Sequence, residues 1–333
     1  MSMTEKTAMR FTVDGWDPAY GNAFDAEGDD LAAESAQAVD ANVETAHDDW
    51  KPISASKPLI QPSAVLFVDG VRRIDARVWI DPAEPVETPQ PSICASIAAG
   101  VVCCCAGRAH IVTVESRRLL VTTSTHATDV VTPADIWRVA HTTVPAGQTL
   151  MTALSLGLQK RLGELEVATA LAARAALGDH GPDPDLDLLI IDGPLKGRGH
   201  LPRTLGYIKT HRTTYLASQL NAIVGTLKPG ERTPVFLLGT GWDRHSWYLR
   251  LPAVSRAPWA GVVRIECAAD LPASQVVALA NVSQAVLPPH ASKEFREPRA
   301  PQNLTPIGGL EHDLRHRLGD ARLLLRSLQT AGS

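Results

Sequence analysis

The sequence has no run of about eighteen apolar residues, which excludes a transmembrane helix of ordinary kind. The opening stretch MSMTEKTAMRF has no apolar core of signal-peptide type, so a cytoplasmic protein with no membrane partner is expected. No internal repeat stands out, which argues against a solenoid or propeller. GTLKPGERT, the nearest approach to a phosphate loop, lacks Gly-Lys-Ser/Thr, and ATP hydrolysis by that route is excluded. No G-x-G-x-x-G follows a strand and no G-x-S-x-G is present, so neither a dinucleotide fingerprint nor a nucleophile elbow is available.

Cysteine is scarce and oddly placed. Three of the five cysteines are consecutive, Cys103, Cys104 and Cys105, inside SICASIAAGVVCCCAG. Neighbours on a strand point to opposite faces, so the triplet is read as small core residues in a reducing compartment, not as a compact metal site. A redox or zinc role is the alternative.

Lysine is scarce too. Of 32 basic residues, eight are lysines and 24 arginines. The planar guanidinium suits phosphate, although a GC-rich genome produces the same bias. Residues 1–50 carry twelve acids against Lys6 and Arg10, a net of −10; the whole chain is −4, so residues 51–333 carry +6. An acidic amino-terminal extension and linker, residues 1–60, thus precedes a mildly basic body, residues 61–330. Within the extension, residues 30–45 have the spacing of an acidic amphipathic helix.

The body opens with AVLFVDG, a short apolar run ending in Asp-Gly, as expected of a buried strand stopping at a sheet edge. RIDARVWI alternates and reads as its hairpin partner. SICASIAAGVVCCCAG and HIVTVESRRLLVTT supply two further strands. Residues 149–177 hold Leu154, Leu158, Leu162, Leu165 and Leu171 at helical spacing with no proline, which predicts a long helix. DLDLLIIDGPL repeats the pattern of an apolar strand closed by Asp-Gly. TPVFLLGTG, SWYLRLP and GVVRIEC read as strands; ASQVVALANVSQAVL and LEHDLRHRLGDARLLLRSL read as two closing helices. The body is therefore expected to be one mixed α/β domain.

Asp69 and Asp192 close the two apolar strands. Carboxylates at the carboxyl ends of strands lie at the rim where open α/β sheets bind ligands. Two on neighbouring strands can share Mg2+ or Mn2+, which prefer oxygen. The competing reading is that each Asp-Gly is only a turn. Glu164 and Glu166 on the long helix, and Glu115 on a strand, are the candidates for a third acid, each with a solvated surface role as its alternative. His312, at the start of the last helix, is either a ligand or an ordinary surface histidine. Lys196, Arg198, Arg203, Lys209 and Arg212 follow Asp192 and suit a phosphate backbone, with Gly197 and Gly199 lending the loop flexibility; a solvated loop is the alternative.

FVDGVRR, IIDGPL, GYIKTHR, HSWYLRL and RAPQNLTPIGGLEHDLR, in this order over residues 62–326, resemble the NurA nucleases. The resemblance implies an RNase H-like mixed sheet flanked by helices, and Mn2+-dependent cleavage of DNA as a 5′-to-3′ exonuclease and single-strand endonuclease. It also implies a homodimer docked on a HerA-type hexameric translocase in DNA end processing and recombination repair. By position it makes Asp69, Glu166 and Asp192 metal ligands, with Glu164 a substitute for Glu166, and His312 a ligand or proton-transfer group. Val71 and Pro194 after the two Asp-Gly pairs, and Glu311 before His312, depart from the family pattern. They leave room for a second reading, a non-catalytic DNA-binding subunit of a translocase complex. A transposase- or resolvase-like enzyme would need a separate DNA-recognition domain, and none is evident.

Overall fold

A computed structural model describes residues 38–56, 61–81, 88–178, 186–211, 213–253, 257–293, 295, 297 and 299–332. Arg212 and residues 30–37 of the expected acidic helix lie outside them. The chain divides into two compact units, residues 60–206 with 305–333 and residues 1–59 with 207–304. No helix among the described residues is long and apolar enough to cross a membrane.

The first unit is a mixed sheet with helices on both faces. Its strands are β2 (Ala64–Ile80), β3 (Gln90–Cys105), β4 (Arg108–Thr122), β5 (Val130–Val131), β6 (Ile136–His141) and β7 (Asp187–Asp192), in the order β7-β2-β3-β4-β6-β5. β2, β3 and β4 form an antiparallel meander, while β7 runs parallel to β2 and β6 parallel to β4. β3 is buried on both faces, which explains its unbroken run of small apolar residues. Its Ile93, Ala95, Ile97 and Ala99 meet Leu154, Leu158, Leu162 and Leu165 of helix α1 (Leu150–Gly178). Its alternate residues Ala98 and Val102 meet Leu310, Leu314 and Leu318 from the carboxyl-terminal helical segment. The period of two along the strand thus sorts the two helical layers.

Two expectations are corrected here. Residues 64–80 are one continuous strand rather than a hairpin; a bulge between Ile74 and Ala76 takes up the irregularity. The bulge turns Asp75 inward, where Ser96 Oγ, Trp137 Nε1 (3.2 Å) and Arg73 Nε (3.0 Å) donate to its carboxylate. The last helix is two helices, α4 (Thr305–Arg317) and α5 (Ala321–Ala331). Gly319 at φ 76° ends the first turn sequence, and Asp320 caps α5 by accepting from Arg322 N and Leu323 N.

The second unit is antiparallel, in the order β1-β9-β10-β11: β1 (Ala38–Asp40), β9 (Phe236–Thr240), β10 (Trp242–Arg250) and β11 (Val262–Ala268). Helices α2 (Ser218–Thr226) and α3 (Ala273–Val286) accompany it. Residues 38–56 are not an appendage. Ala38–Asp40 is a strand rather than helix, and Trp50 packs into a core with Leu220, Val224, Phe236 and Tyr248. Glu44 accepts from both terminal nitrogens of the fully buried Arg232, at 2.7 Å each, and Asn281 and Gln284 satisfy the rest of that guanidinium. β8 (Thr204–Ile208), expected as part of a basic loop, is a strand where the chain passes from one unit to the other.

Candidate active site

The two Asp-Gly strands are neighbours. β2 and β7 pair in parallel with Val68 opposite Ile191, so Asp69 and Asp192 occupy the next step of the register. Their backbones are then about 4.8 Å apart, the ordinary spacing of paired strands. Asp69 is buried and accepts from Gly70 N at 2.8 Å; Asp192 ends β7 and is partly exposed. Hydrophobic residues 64–68 and 188–191 fix both strands in the sheet, and each acid appears where the apolar run stops.

Glu166 reaches the same rim from α1. A Cβ on Gly70 would lie 2.5 Å from Glu166 Oε1 and 2.8 Å from Leu162 Cδ1. Only glycine lets the helix side chains come this close to the strand. Alternation sends Gly70 to the α1 face and Asp69 to the other, where its cross-strand partner Gly100 abuts Leu310 of α4. Glu166 therefore meets β2 at a residue with no side chain. Burial pushes the Glu166 carboxyl above the usual carboxylate range; Arg198 opposes the shift and Asp192 adds to it. Glu164, two residues earlier, is exposed and paired with Arg161 at 2.9 Å. Glu115 is likewise exposed, on Arg117.

The loop after Asp192 is shaped rather than loose. Gly193 and Gly197 have positive φ (114° and 72°), and Leu195 and Leu201 are buried. This folding brings Arg198 back across α1, where its guanidinium lies against Gly163 and ion-pairs with Glu166. Arg198, expected on a phosphate backbone, is thus turned to an internal carboxylate. Lys196 is exposed, and Arg203 donates to Asp187 O. In the other unit, Lys209 donates to Asn303 Oδ1 at 3.0 Å. His312 is exposed on α4, with its ring 4.6 Å from that of His316 and their Nε2 atoms 3.2 Å apart.

The donor set suits a hard divalent cation. Asp69 and Asp192 stand at adjacent positions on neighbouring strands, and carboxylate oxygens are the ligands Mg2+ and Mn2+ select. Glu166 approaches β2 from the α1 side, opposite to Asp69, and its charge is met by Arg198; the three carboxylates do not form a group of ligand atoms within 4.8 Å of one another.

Sequence reasoning missed two features. The Arg198–Glu166 pair spans 32 residues and depends on the loop fold, which no local pattern reports. The cysteine triplet also needs correction: adjacent cysteines do diverge, but the first and third do not. Sγ of Cys103 and Cys105 and a ring nitrogen of His110 all lie within 4.8 Å of one another. The two-residue spacing was the signal available for this.

No protein-family model and no curated protein matches the sequence. Among solved structures, the chain is similar to the NurA nuclease from Sulfolobus solfataricus, with 10% identity and a TM-score of 0.45 over 84% of this chain and 88% of that one. It is also similar to the catalytic domain of human endonuclease V, with 14% identity and a TM-score of 0.34 over 77% of this chain and 82% of that one. At these scores the likeness assigns neither a family nor an activity.

Proposed function

We propose that this chain is a metal-dependent DNA nuclease of the NurA type, hydrolysing phosphodiester bonds at the rim formed by β2 and β7. The observation that carries this reading is the parallel register that sets Asp69 beside Asp192. Asp69, Asp192 and Glu166 would hold Mn2+ or Mg2+. Such an ion, when bound, supplies activation of water and neutralisation of charge on the phosphate. Burial and Arg198 together hold Glu166 in one place, so this carboxyl is positioned before any substrate arrives. His312 is the proposed proton-transfer group or further ligand. Lys196, Arg198, Lys209 and Arg212 are the basic residues proposed for the DNA strand; of these, Arg198 would have to leave Glu166 first.

The finer activity follows the sequence resemblance. It is 5′-to-3′ exonuclease and single-strand endonuclease action in DNA end processing, by a cytoplasmic homodimer acting with a HerA-type translocase. The test is cleavage of end-labelled single- and double-stranded DNA across Mn2+ and Mg2+ titrations. Wild-type protein should cut and Asp69→Ala should not, with both folded. Full activity of that variant removes the site.

One observation favours the second reading, a non-catalytic DNA-binding subunit. A guanidinium of the chain itself already sits on the third acid. DNA binding without cleavage at any concentration of either ion would establish it.

A further inference from the structure

The tip of the β3–β4 hairpin carries a second constellation, independent of the nuclease reading. Cys103 stands directly opposite His110 in the antiparallel register, and Cys105 lies two residues further along the same strand. Side chains of a cross-strand pair and of i, i+2 neighbours share one face of a sheet, so all three point the same way. Ala106 and Gly107, at φ 47° and 73°, make the tight turn that closes the hairpin between Cys105 and Arg108. The turn fixes the register, and the register sets the ligand atoms within 4.8 Å of one another.

We infer that Cys103, Cys105 and His110 bind a thiophilic divalent ion of the Zn2+ class. Two thiolates and an imidazole select Zn2+ over the oxygen-seeking Mg2+, Mn2+ or Ca2+. Three protein ligands leave the fourth tetrahedral position to water. The site has an entry path, because Cys103 is fully buried, Cys105 half-buried and His110 exposed.

This site is separate from the acidic rim. Along β2, Asp69 pairs with Gly100, Leu66 with Cys103 and Ala64 with Cys105. Three to five residues of strand separate the two places, roughly 10–17 Å.

The test uses full-length reduced protein stripped with a chelator and titrated with Co2+, then with Zn2+. A tetrahedral thiolate site gives intense visible bands and a near-ultraviolet sulfur-to-cobalt band, both removed by one equivalent of Zn2+. Cys105→Ser should abolish the sulfur band. His110→Ala, at an exposed position, should weaken Zn2+ binding about 10-fold or more. Cys104→Ser, next door but on the opposite face, should leave both unchanged. Absence of the bands at excess Co2+, or equal loss in Cys104→Ser and Cys105→Ser, overturns the assignment. If Cys105→Ser does not fold, unchanged Zn2+ affinity in His110→Ala does the same.

Discussion

Gly70 and Glu166 are in direct apposition: the glycine has no room for a side chain because the glutamate carboxylate occupies the space where a Cβ would go. A residue on a strand and one on a helix nearly a hundred positions later are thus a single packing unit. Gly70→Ala should push Glu166 and Leu162 outward, at a cost of about 1–3 kcal/mol for overpacking. Thermal melting reads the stability change. Cleavage of labelled DNA with Mn2+ should fall with it, because Glu166 is displaced; an alanine variant with native stability and native activity would separate Glu166 from the rim.

The paired aspartates predict parallel losses. Asp69→Ala and Asp192→Asn should each lower Mn2+-dependent cleavage about 10³-fold, the rate equivalent of several kcal/mol of lost charge stabilisation. Circular dichroism should show both variants folded. Activity in one variant but not the other would mean that the two acids do not share an ion.

Arg198 and Glu166 are buried together, with side chains 12% and 7% exposed. Removing one partner strands the other charge. Arg198→Met should destabilise the protein by about 3 kcal/mol, and the double variant Arg198→Met/Glu166→Gln should recover much of that in a mutant cycle. Mn2+ should raise the melting temperature of Arg198→Met more than that of wild type, since the ion restores a countercharge to Glu166. Equal metal shifts in both proteins would leave Glu166 outside the metal site.

Arg232 and Glu44 make the corresponding test of the other unit. Arg232→Met leaves the Glu44 carboxylate without its bidentate partner and should cost about 3–5 kcal/mol by urea denaturation. A loss under about 1 kcal/mol would mean that residues 38–56 are not part of this core.

His211 gives a pH signature. Its ring is half-buried against Tyr248 and Trp259, and loss of solvent lowers its pKa from 6.5 to about 4. The unfolded chain therefore takes up a proton at a pH where the folded chain does not. The stability present above pH 6.5 is lost as pH falls towards 4, by up to about 3 kcal/mol. His211→Phe should flatten this part of the melting-temperature profile between pH 7 and 4. An unchanged slope would assign the acid sensitivity to other groups.

The elements that position the candidate acids were legible because local patterns carry them. Apolar runs closed by Asp-Gly marked β2 and β7, and the leucine spacing marked α1. Helical spacing alone did not separate Glu166 from Glu164, which only the resemblance ranked, because two residues on a helix differ in face only relative to something packed against it. The continuation of β2 past Gly70 was not legible either: a glycine inside a strand looks like a turn until its neighbours show what fills the space.

Residue order alone determined the apolar runs of β2, β3 and β7 and the leucine face of α1, since those depend on periods of 2 and 3.6. Tertiary structure decided the rest: that β7 lies parallel beside β2, that Arg198 returns to Glu166, and that the β4 histidine faces two of the three cysteines. The reason is physical. Side-chain direction is set within a few residues, but which groups meet depends on strand register and loop closure over tens of residues, and these minimise the free energy of the whole unit.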